Sequence, residues 1–306
     1  MSPEIHESRL RYLFEAVQCG TIRAAADRLD IAPSAVSRQI ALLEAELALP
    51  LIERHKRGVY LTQAGRLLIE YYREQRAHQQ DLLAKLQEVR GLRRGHIRLA
   101  LGEGFVSDLM GAPLQSFCQR YPDIALTLDL AGTNEVVRQV AEDDADIGLV
   151  YHPPAEPKIV SRAQVQQPLH VIVAPGSPLL TRPAPLTFAA LEGVPLALMH
   201  GAYGTRQLME MAEFSEKLRL APTVTTNSIS VLKHFVRAGL GATFLPAFAI
   251  SQEIEAKQLF AIPIDHPLLA SAEAHLITRV GRRLSGAANR LLTHLANRME
   301  AFGARS

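Results

Sequence analysis

The stretch of residues 21–44 reads TIRAAADRLDIAPSAVSRQIALLE and predicts two helices joined by a tight turn. Thr21 is a residue type that caps helix N-termini, and Pro33 suits the first turn of the second helix. The second helix carries an apolar side and a polar edge, which are formed by Val36, Ile40 and Leu43 and by Ser34, Ser37, Arg38 and Gln39. This arrangement is typical of a helix-turn-helix that binds DNA.

The polar edge of the second helix has the chemistry that DNA recognition needs. An arginine can bind guanine with two hydrogen bonds, a glutamine can bind adenine in the same way, and a serine can donate to phosphate. The alternative is a surface helix with ordinary polar residues, which an isolated Ser-Arg-Gln triplet would favour. Here the capped helix and the tight turn before it favour the DNA-reading interpretation instead.

Several segments around this stretch together resemble the N-terminal signature of LysR-type transcriptional regulators. They are AADRL at residues 25–29, AVSRQI at 35–40, LE at 43–44, ERHKRGVY at 53–60 and LTQAG at 61–65. In that family the segment corresponding to 53–60 is the wing that follows the recognition helix. Three positions depart from the family pattern, namely Ala32 for a capping Ser, Ala48 for Gly and Ile52 for Phe. A missing cap costs roughly 1 kcal/mol, and the other two are expected to be packing changes, so none alters the polar edge.

The candidate DNA contacts lie on the second helix and in the wing. They are Pro33, Ser34, Ser37, Arg38, Gln39, Arg54, Lys56 and Arg57. Residues 1–94 carry 15 Lys and Arg against 12 Asp and Glu, whereas the remainder carries 18 against 19. The basic excess therefore lies in the part predicted to bind DNA, and the three wing cations are expected to face phosphates.

Residues 66–90 contain neither Pro nor Gly and predict one long helix. Its apolar side chains form a stripe that Gln75 and Gln79 interrupt, and they are Leu68, Tyr72, Leu82, Leu86 and Val89. The alternatives are packing on its own domain or pairing with the same helix of a second chain, and the length of the stripe favours pairing. The resemblance implies that the helix joins two subunits and spaces two DNA-reading heads, so a near-palindromic operator is expected.

Beyond residue 95 the hydrophobic pattern changes to strands alternating with helices, which predicts parallel sheets. The strands are expected at 96–101, 124–130, 146–151 and 169–174, and the helices at 109–121 and 134–142. Resemblance to the family implies two Rossmann-like αβ subdomains of the kind found in periplasmic solute-binding proteins. The first would be completed near Pro267 by a strand and a helix within residues 275–299.

The predicted fold class is therefore α/β and multidomain. The expected parts are a winged helix-turn-helix domain at residues 1–62, a linker dimerisation helix at 63–91 and an effector-binding domain at 92–306. Within the last part, subdomain I is expected at about 95–163 and 267–300, and subdomain II at about 164–266.

In such an architecture a small molecule binds between the subdomains, at the carboxyl ends of strands and the N-termini of helices. The candidate effector contacts at those places are Gly102, Glu103, Phe105, Thr133, Tyr151, His200, Tyr203, Thr205, Arg206, Asn227 and Phe244. Thr205 and Arg206 would suit a carboxylate, because an arginine can bind both of its oxygens.

Three of these candidates have a second interpretation. Arg206 could instead pair with Glu210 one helical turn along, and Thr133, like Ser107, could simply cap a helix. Glu103 would repel an anion at the mouth of such a site. If it does, the effector is neutral or carries an amine.

Composition limits the remaining functions. The N-terminus has no signal-peptide core and no run is long enough to span a bilayer, so a cytoplasmic protein without a membrane partner is expected. Cys19 and Cys118 fall in different predicted domains, which disfavours a disulfide or metal site and suggests two buried thiols. GxSxG, HExxH, CxxC and Walker-type motifs are absent, so neither catalytic residues nor a cofactor are predicted.

We therefore interpret the chain as a DNA-binding transcriptional regulator controlled by a small-molecule effector. The expected partners are double-stranded operator DNA and further copies of the chain, as a dimer or a tetramer, with RNA polymerase as an additional candidate. The alternatives are a cytoplasmic solute-binding protein with a structural helical prefix, which would lack selective DNA affinity, and an enzyme.

Overall fold

The computed structural model describes residues 6–55, 58–89 and 95–303, without the side chains at 54–55, 80–81, 84–85 and 87–89. It divides into two compact units, Met1–Leu82 and Leu83–Ser306. The first unit contains α1 (Glu7–Gln18), α2 (Ile22–Leu29), α3 (Pro33–Leu47), β1 (Ile52–His55), β2 (Gly58–Leu61) and most of α4 (Gln63–Val89).

Helices α2 and α3 begin at the residues that the sequence predicts, and α1 packs with them in one core. The Ala24 N–H donates to Thr21 Oγ1 over 3.1 Å, so Thr21 caps α2 as predicted. Pro33 is the first residue of α3, while Ala32 before it supplies no side-chain cap. The apolar faces of the helices meet in one core, whose fully buried members include Leu10, Leu13, Ala25, Ala26, Val36, Ile40 and Leu43.

Ala48 differs from the sequence-based expectation. It ends α3 with φ +52°, in the left-handed region that a β-carbon disfavours. Its substitution for the family's glycine is therefore a change in backbone strain, and the prediction of a packing change was wrong at this position. At the same helix end, Glu44 Oε1 accepts from the N–H groups of Leu51 and Ile52 over 2.8 and 3.2 Å, which holds the chain as it enters β1.

Helix α4 is one continuous helix, as the absence of Pro and Gly predicts. Its first half packs on the core of its own unit, where Tyr72 is buried and its ring lies 5.4 Å from that of Phe14. Farther along, Leu82 and Leu86 are 57% and 51% exposed in the single chain. The first half of the predicted stripe therefore packs within the first unit. The leucines of its second half remain exposed and are available for contact with another surface. Val89 belongs to the same prediction, but its side chain lies outside the described residues.

The second unit contains a five-stranded sheet in the order β4-β3-β5-β12-β6. The strands are β3 (Gly95–Leu101), β4 (Ile124–Leu130), β5 (Ile147–Tyr151), β6 (Ile159–Gln166) and β12 (Glu273–Arg279). The accompanying helices are α5 (Val106–Met110), α6 (Ala112–Arg120), α7 (Thr133–Ala141) and α12 (Gly286–Arg298). Strand β12 returns late in the sequence to lie between β5 and β6, as the family resemblance implies.

A second group of strands is formed by the intervening residues. Strands β10-β7-β11 form one sheet and β8-β9 another, and a single parallel bridge from Leu196 to Ala242 connects them. The strands are β7 (Leu169–Val173), β8 (Ala197–Met199), β9 (Val224–Thr226), β10 (Thr243–Pro246) and β11 (Phe260–Pro263). The helices are α8 (Gly204–Glu216), α9 (Ile229–Arg237), α10 (Ser251–Glu255) and α11 (Pro267–Ala270).

Three finer expectations for this unit were wrong. The five-stranded sheet is mixed, because β12 pairs antiparallel with β5 and β6, and the β10-β7-β11 sheet is antiparallel throughout. The helix expected at 109–121 is two helices, α5 and α6, separated at Gly111. Cys118 is exposed because it lies on the outer face of α6.

Candidate functional site

The predicted DNA-reading edge lies on the solvent side of α3. Ser34 and Arg38 are exposed, while Ser37 and Gln39 are half-buried at the border of the edge. The opposite side of α3 is anchored in the core, which holds the helix in one orientation. Pro33 is exposed at the N-terminus of α3, where base contacts are made by helix-turn-helix proteins.

Strands β1 and β2 form the predicted wing as an antiparallel hairpin, with Ile52 opposite Leu61 and His55 opposite Gly58. Gly58 has φ +141°, and a β-carbon there would lie 2.7 Å from the Gly20 carbonyl oxygen. The Val59 N–H donates to that same oxygen over 2.9 Å, which ties the hairpin to the loop between α1 and α2. Lys56, Arg57 and the side chain of Arg54 lie outside the described residues.

A pocket in the second unit lies where the two groups of strands face each other. Its empty volume, open solvent included, is about 420 Å³. One side is formed by residues at or just after the carboxyl ends of β3, β4 and β5, and the other by residues at or just after the carboxyl ends of β8, β9 and β10. The lining residues are Gly102, Glu103, Gly104, Phe105, Thr133, Val150, Tyr151, Met199, Tyr203, Gly204, Thr205, Ile229, Pro246 and Phe248.

The pocket brings together most of the candidate effector residues. Those in its lining are Gly102, Glu103, Phe105, Thr133, Tyr151, Tyr203 and Thr205. Four other candidates lie outside the lining, namely His200, Arg206, Asn227 and Phe244. Phe244 is a buried core residue whose ring stacks on Phe188 at 6.5 Å, whereas His200 is exposed.

Sequence reasoning did not select four apolar residues of the lining, which are Val150, Met199, Ile229 and Phe248. Met199 is the last residue of β8. The rule that ligands meet the carboxyl ends of strands would have included it, but the sequence prediction relied on polar side chains.

Glu103 reaches across the pocket to the N-terminus of α9. Its carboxylate accepts from the Ser228 hydroxyl over 3.0 Å and from the N–H groups of Ile229 and Ser230 over 2.6 and 3.1 Å. The first N–H groups of a helix have no partners within the helix and attract anions. Glu103 thus supplies an anion at this position from within the chain.

A second contact across the pocket joins Thr133 to helix α8. The Gly204 N–H donates to Thr133 Oγ1 over 2.7 Å, and Thr133 is buried. Thr133 does not cap its own helix α7, which begins without a side-chain cap, so that interpretation of the sequence was wrong. Its hydroxyl instead accepts from the first N–H of α8, on the other side of the pocket. A β-carbon at Gly204 would lie 2.1 Å from the Tyr151 carbonyl oxygen, so only glycine allows this approach.

The two tyrosines of the pocket already have partners for their hydroxyl groups. Tyr151 donates to the Gln167 carbonyl over 2.8 Å, and Tyr203 donates to the Asn227 carbonyl over 3.1 Å. Burial raises the pKa of Tyr151, and burial followed by the nearby negative charge of Glu103 raises the pKa of Tyr203. Both phenols are therefore neutral at physiological pH and act as donors.

Arg206 makes ion pairs within α8. Its guanidinium lies 3.0 Å from Glu210 and 2.7 Å from Glu213, whose side chain is only 8% exposed. The pair with Glu210 is the alternative that the sequence left open, and the pair with buried Glu213 was not expected. The guanidinium compensates a carboxylate that would otherwise be buried without a partner.

We expect Arg206→Ala to lower the free energy of unfolding of the second unit by about 2–3 kcal/mol, because it leaves the Glu213 carboxylate unpaired. Urea denaturation of the full-length protein measures this loss. The matched control is Glu210→Ala, which removes the 51%-exposed partner and should cost less than about 1 kcal/mol. Equal losses for the two variants would contradict this role of Arg206.

Comparison with known families assigns both units. The chain matches the family described as bacterial regulatory helix-turn-helix protein, lysR family, over residues 8–66. It matches the LysR substrate binding domain over residues 90–300. Among relatives, a RuBisCO operon transcriptional regulator of Allochromatium vinosum is 30% identical over 282 residues, covering 90% of this chain and 91% of that protein. CbbR of Rhodospirillum rubrum is 29% identical over 274 residues, with 89% of both proteins covered.

Solved structures share the fold. A cysteine variant of full-length OxyR from Pseudomonas aeruginosa has a TM-score of 0.66 at 18% identity, covering 97% of this chain and 96% of that one. The Synechocystis PCC6803 CcmR regulatory domain in complex with 2-PG has a TM-score of 0.58 at 20% identity, covering 66% of this chain and 96% of that one. The QuiR effector-binding domain in complex with shikimate has a TM-score of 0.55 at 15% identity, covering 66% and 95%.

A winged helix-turn-helix in the same chain as a two-sided αβ pocket defines a DNA-binding protein that responds to a small molecule. With both family matches covering these parts, the chain belongs to the LysR family of bacterial transcriptional regulators. It is a transcriptional regulator with an N-terminal DNA-binding domain and an effector-binding domain, which confirms the resemblance and the fold class deduced from the sequence. Among the helices that the structure describes, none is both long and apolar enough to cross a membrane.

Proposed function

We propose that this protein binds an operator through the exposed edge of α3 and through its wing, and that a small molecule in the pocket controls that binding. The observation that carries the proposal is the pocket itself, since predicted effector residues from two sequence regions about 100 residues apart line one opening of the second unit. The proposed boundaries are those expected from the sequence, namely residues 1–62 for DNA binding, 63–91 for the linker helix and 92–306 for effector binding.

The DNA contacts are divided between two roles in this proposal. Arg38 and Gln39 read base edges in the major groove, and Pro33, Ser34 and Ser37 lie beside the phosphates at the N-terminus of α3. The wing cations Arg54, Lys56 and Arg57 neutralise phosphates without reading sequence.

The assembly that we propose is a homo-oligomer paired through the second half of α4. Two such subunits would place their α3 helices about 34–36 Å apart, which is one turn of DNA and requires a near-palindromic operator. A dimer and a tetramer built from two dimers both fit this arrangement, and RNA polymerase is a further candidate partner. The proposed location is the cytoplasm, where operator DNA is found.

The effector acts in this proposal by favouring one of two arrangements of the oligomer. A ligand shifts such an equilibrium only through its different affinity for the two states. A bound molecule would contact residues from both groups of strands that line the pocket. Any change in the distance between the two groups alters those contacts, so the two states would differ in their affinity for the molecule. No catalytic step and no cofactor are part of the proposal.

We expect Arg38→Ala to weaken operator binding by about 1–3 kcal/mol while leaving affinity for random DNA nearly unchanged, because Arg38 would read a base edge. The operator duplex is first selected from a random library with the parent protein, and both duplexes are then titrated at several salt concentrations.

The matched control for this experiment is Arg57→Ala. If Arg57 binds a phosphate, its loss should weaken binding to both duplexes alike and make the salt dependence shallower. If Arg38→Ala behaves in the same way as Arg57→Ala, Arg38 also binds phosphate and the base-reading role is wrong. If the parent selects no duplex from the library, the proposed function itself fails.

A further inference from the structure

The N-terminus of α9 in the pocket is already occupied by a carboxylate of the chain. Helix α9 has nine residues, and Glu103 accepts from two of its first N–H groups and from the hydroxyl of its capping residue Ser228. Backbone N–H groups at a helix N-terminus, together with a hydroxyl, are the donors that bind a free carboxylate, phosphate or sulfate. A free anion at this position would have to displace Glu103.

The charges around the rest of the pocket do not favour an incoming anion. Among the residues that the structure describes, the lining includes no Lys, Arg or His, and Glu103 is its single formally charged member. The nearby cations are engaged elsewhere, since Lys233 of α9 pairs with Glu253 at 3.0 Å and Arg206 pairs with Glu213 at 2.7 Å. An anion entering the pocket would therefore meet a like charge without a partner of opposite sign.

Three other polar side chains of the lining also have partners within the chain. Thr133 accepts from the Gly204 N–H, and the hydroxyl groups of Tyr151 and Tyr203 donate to backbone carbonyls. What remains accessible is largely apolar and aromatic, with Phe105 and Phe248 in contact at a ring distance of 5.0 Å. Such a surface favours a ligand with an apolar body.

We propose that Glu103 is a specificity-determining residue that takes the place of an effector's anionic group, so that this protein binds a small effector without a carboxylate, phosphate or sulfate. The inference rests on the proposed function only in taking this pocket as the effector site. It distinguishes the protein from structural neighbours whose regulatory domain was solved with an acid, such as the QuiR domain with shikimate.

The test compares full-length parent protein with Glu103→Ala, by calorimetric titration and thermal shift. The probes are cyclohexanecarboxylate, shikimate and inorganic sulfate, with cyclohexylmethanol as the uncharged partner of the first. We expect the parent to bind none of the three anions measurably at millimolar concentration. In Glu103→Ala the α9 donors are free, and at least one carboxylate should bind at least tenfold more tightly than to the parent. Affinity for cyclohexylmethanol should not rise in the same proportion.

The matched control is Glu135→Ala, which removes an exposed carboxylate of α7 that pairs with Arg138 and lies outside the pocket lining. It should leave anion binding as in the parent. Glu103 is itself only half-buried, so the alanine variant creates no core cavity, and Glu103→Ser provides a second variant if the first unfolds. The proposal is wrong if the parent binds a carboxylate as tightly as either variant does, or if neither variant binds any anion.

The role of Glu103 and the proposed function can be tested separately. Binding of anions is measured on the protein without DNA, whereas regulation is measured by operator titration with and without the probe. A variant that gains carboxylate binding without any change in operator affinity would support the role of Glu103 and contradict control of DNA binding through this pocket.

Discussion

Replacing Leu82 and Leu86 together by Glu is expected to separate the paired subunits that we propose for this regulator and to abolish most of its operator affinity. Both leucines are more than half exposed in the single chain, on the half of α4 that leaves the core of the first unit. If a second copy covers them, the variant places charges in an apolar contact, at a cost of several kcal/mol. A cost of about 3 kcal/mol raises the dissociation constant of the assembly more than a hundredfold.

Sedimentation velocity measures the assembly, and operator titration measures the consequence. Operator affinity should fall when the subunits separate. In a dimer, binding of one DNA-binding domain holds the other close to its half-site, and this advantage is lost in the monomer. The matched control places Glu at two leucines outside α4, Leu49 and Leu240, which are 52% and 58% exposed. A Leu82→Glu, Leu86→Glu variant that sediments like the parent would show that α4 does not pair subunits.

The second large effect is expected for Gly204→Ala, which should destabilise the second unit by about 1–3 kcal/mol or more. The added β-carbon would lie 2.1 Å from the Tyr151 carbonyl oxygen, and a backbone atom on a buried strand cannot rotate away as a side chain can. Helix α8 must then withdraw from β5, which also breaks the hydrogen bond from the Gly204 N–H to Thr133. For a unit of this size the melting temperature should fall by roughly 2–4 °C per kcal/mol.

Differential scanning calorimetry of the full-length protein detects this shift in the transition of the second unit. The matched control is Gly201→Ala, three residues earlier, where a β-carbon meets no atom within 4 Å. That variant should melt like the parent. A Gly204→Ala protein as stable as Gly201→Ala would show that α8 can shift away from β5 without loss of stability. The close approach of Gly204 to the Tyr151 carbonyl would then have no structural consequence.

The helix-turn-helix was predictable from the sequence because its information is local. Thr21, Pro33 and the apolar spacing from Val36 to Leu43 each act within one or two helical turns, and each has the predicted role in the structure. Strands β3, β4, β5 and β7 of the second unit were predictable for the same reason, whereas β6 and β8 to β11 were not predicted. Ala48 shows the limit, because a residue type does not reveal that its own φ is positive.

The candidate effector residues illustrate what a position in the sequence can and cannot indicate. Turns after strands pointed to the pocket, and Glu103, Thr133 and Tyr203 all line it. The same reasoning also selected Arg206, whose side chain turns along α8 towards Glu213. The direction of a long side chain depends on a partner seven residues away on the same helix, and on how deeply that partner is buried. Neither was visible in the turn motif.

By itself the sequence determined the family of this protein, the helix-turn-helix with the polar edge of its second helix, and the strands β3, β4, β5 and β7. These features depend on residue type and on spacing along the chain. Hydrophobic periodicity and capping residues are signals of this local kind and can be read from the sequence. Only the tertiary structure decided that Glu103 lies on the first N–H groups of α9, more than 120 residues away, and that Thr133 accepts from the first N–H of α8. Such contacts arise when separate elements pack together, so their partners are chosen by the geometry of packing and not by any local pattern.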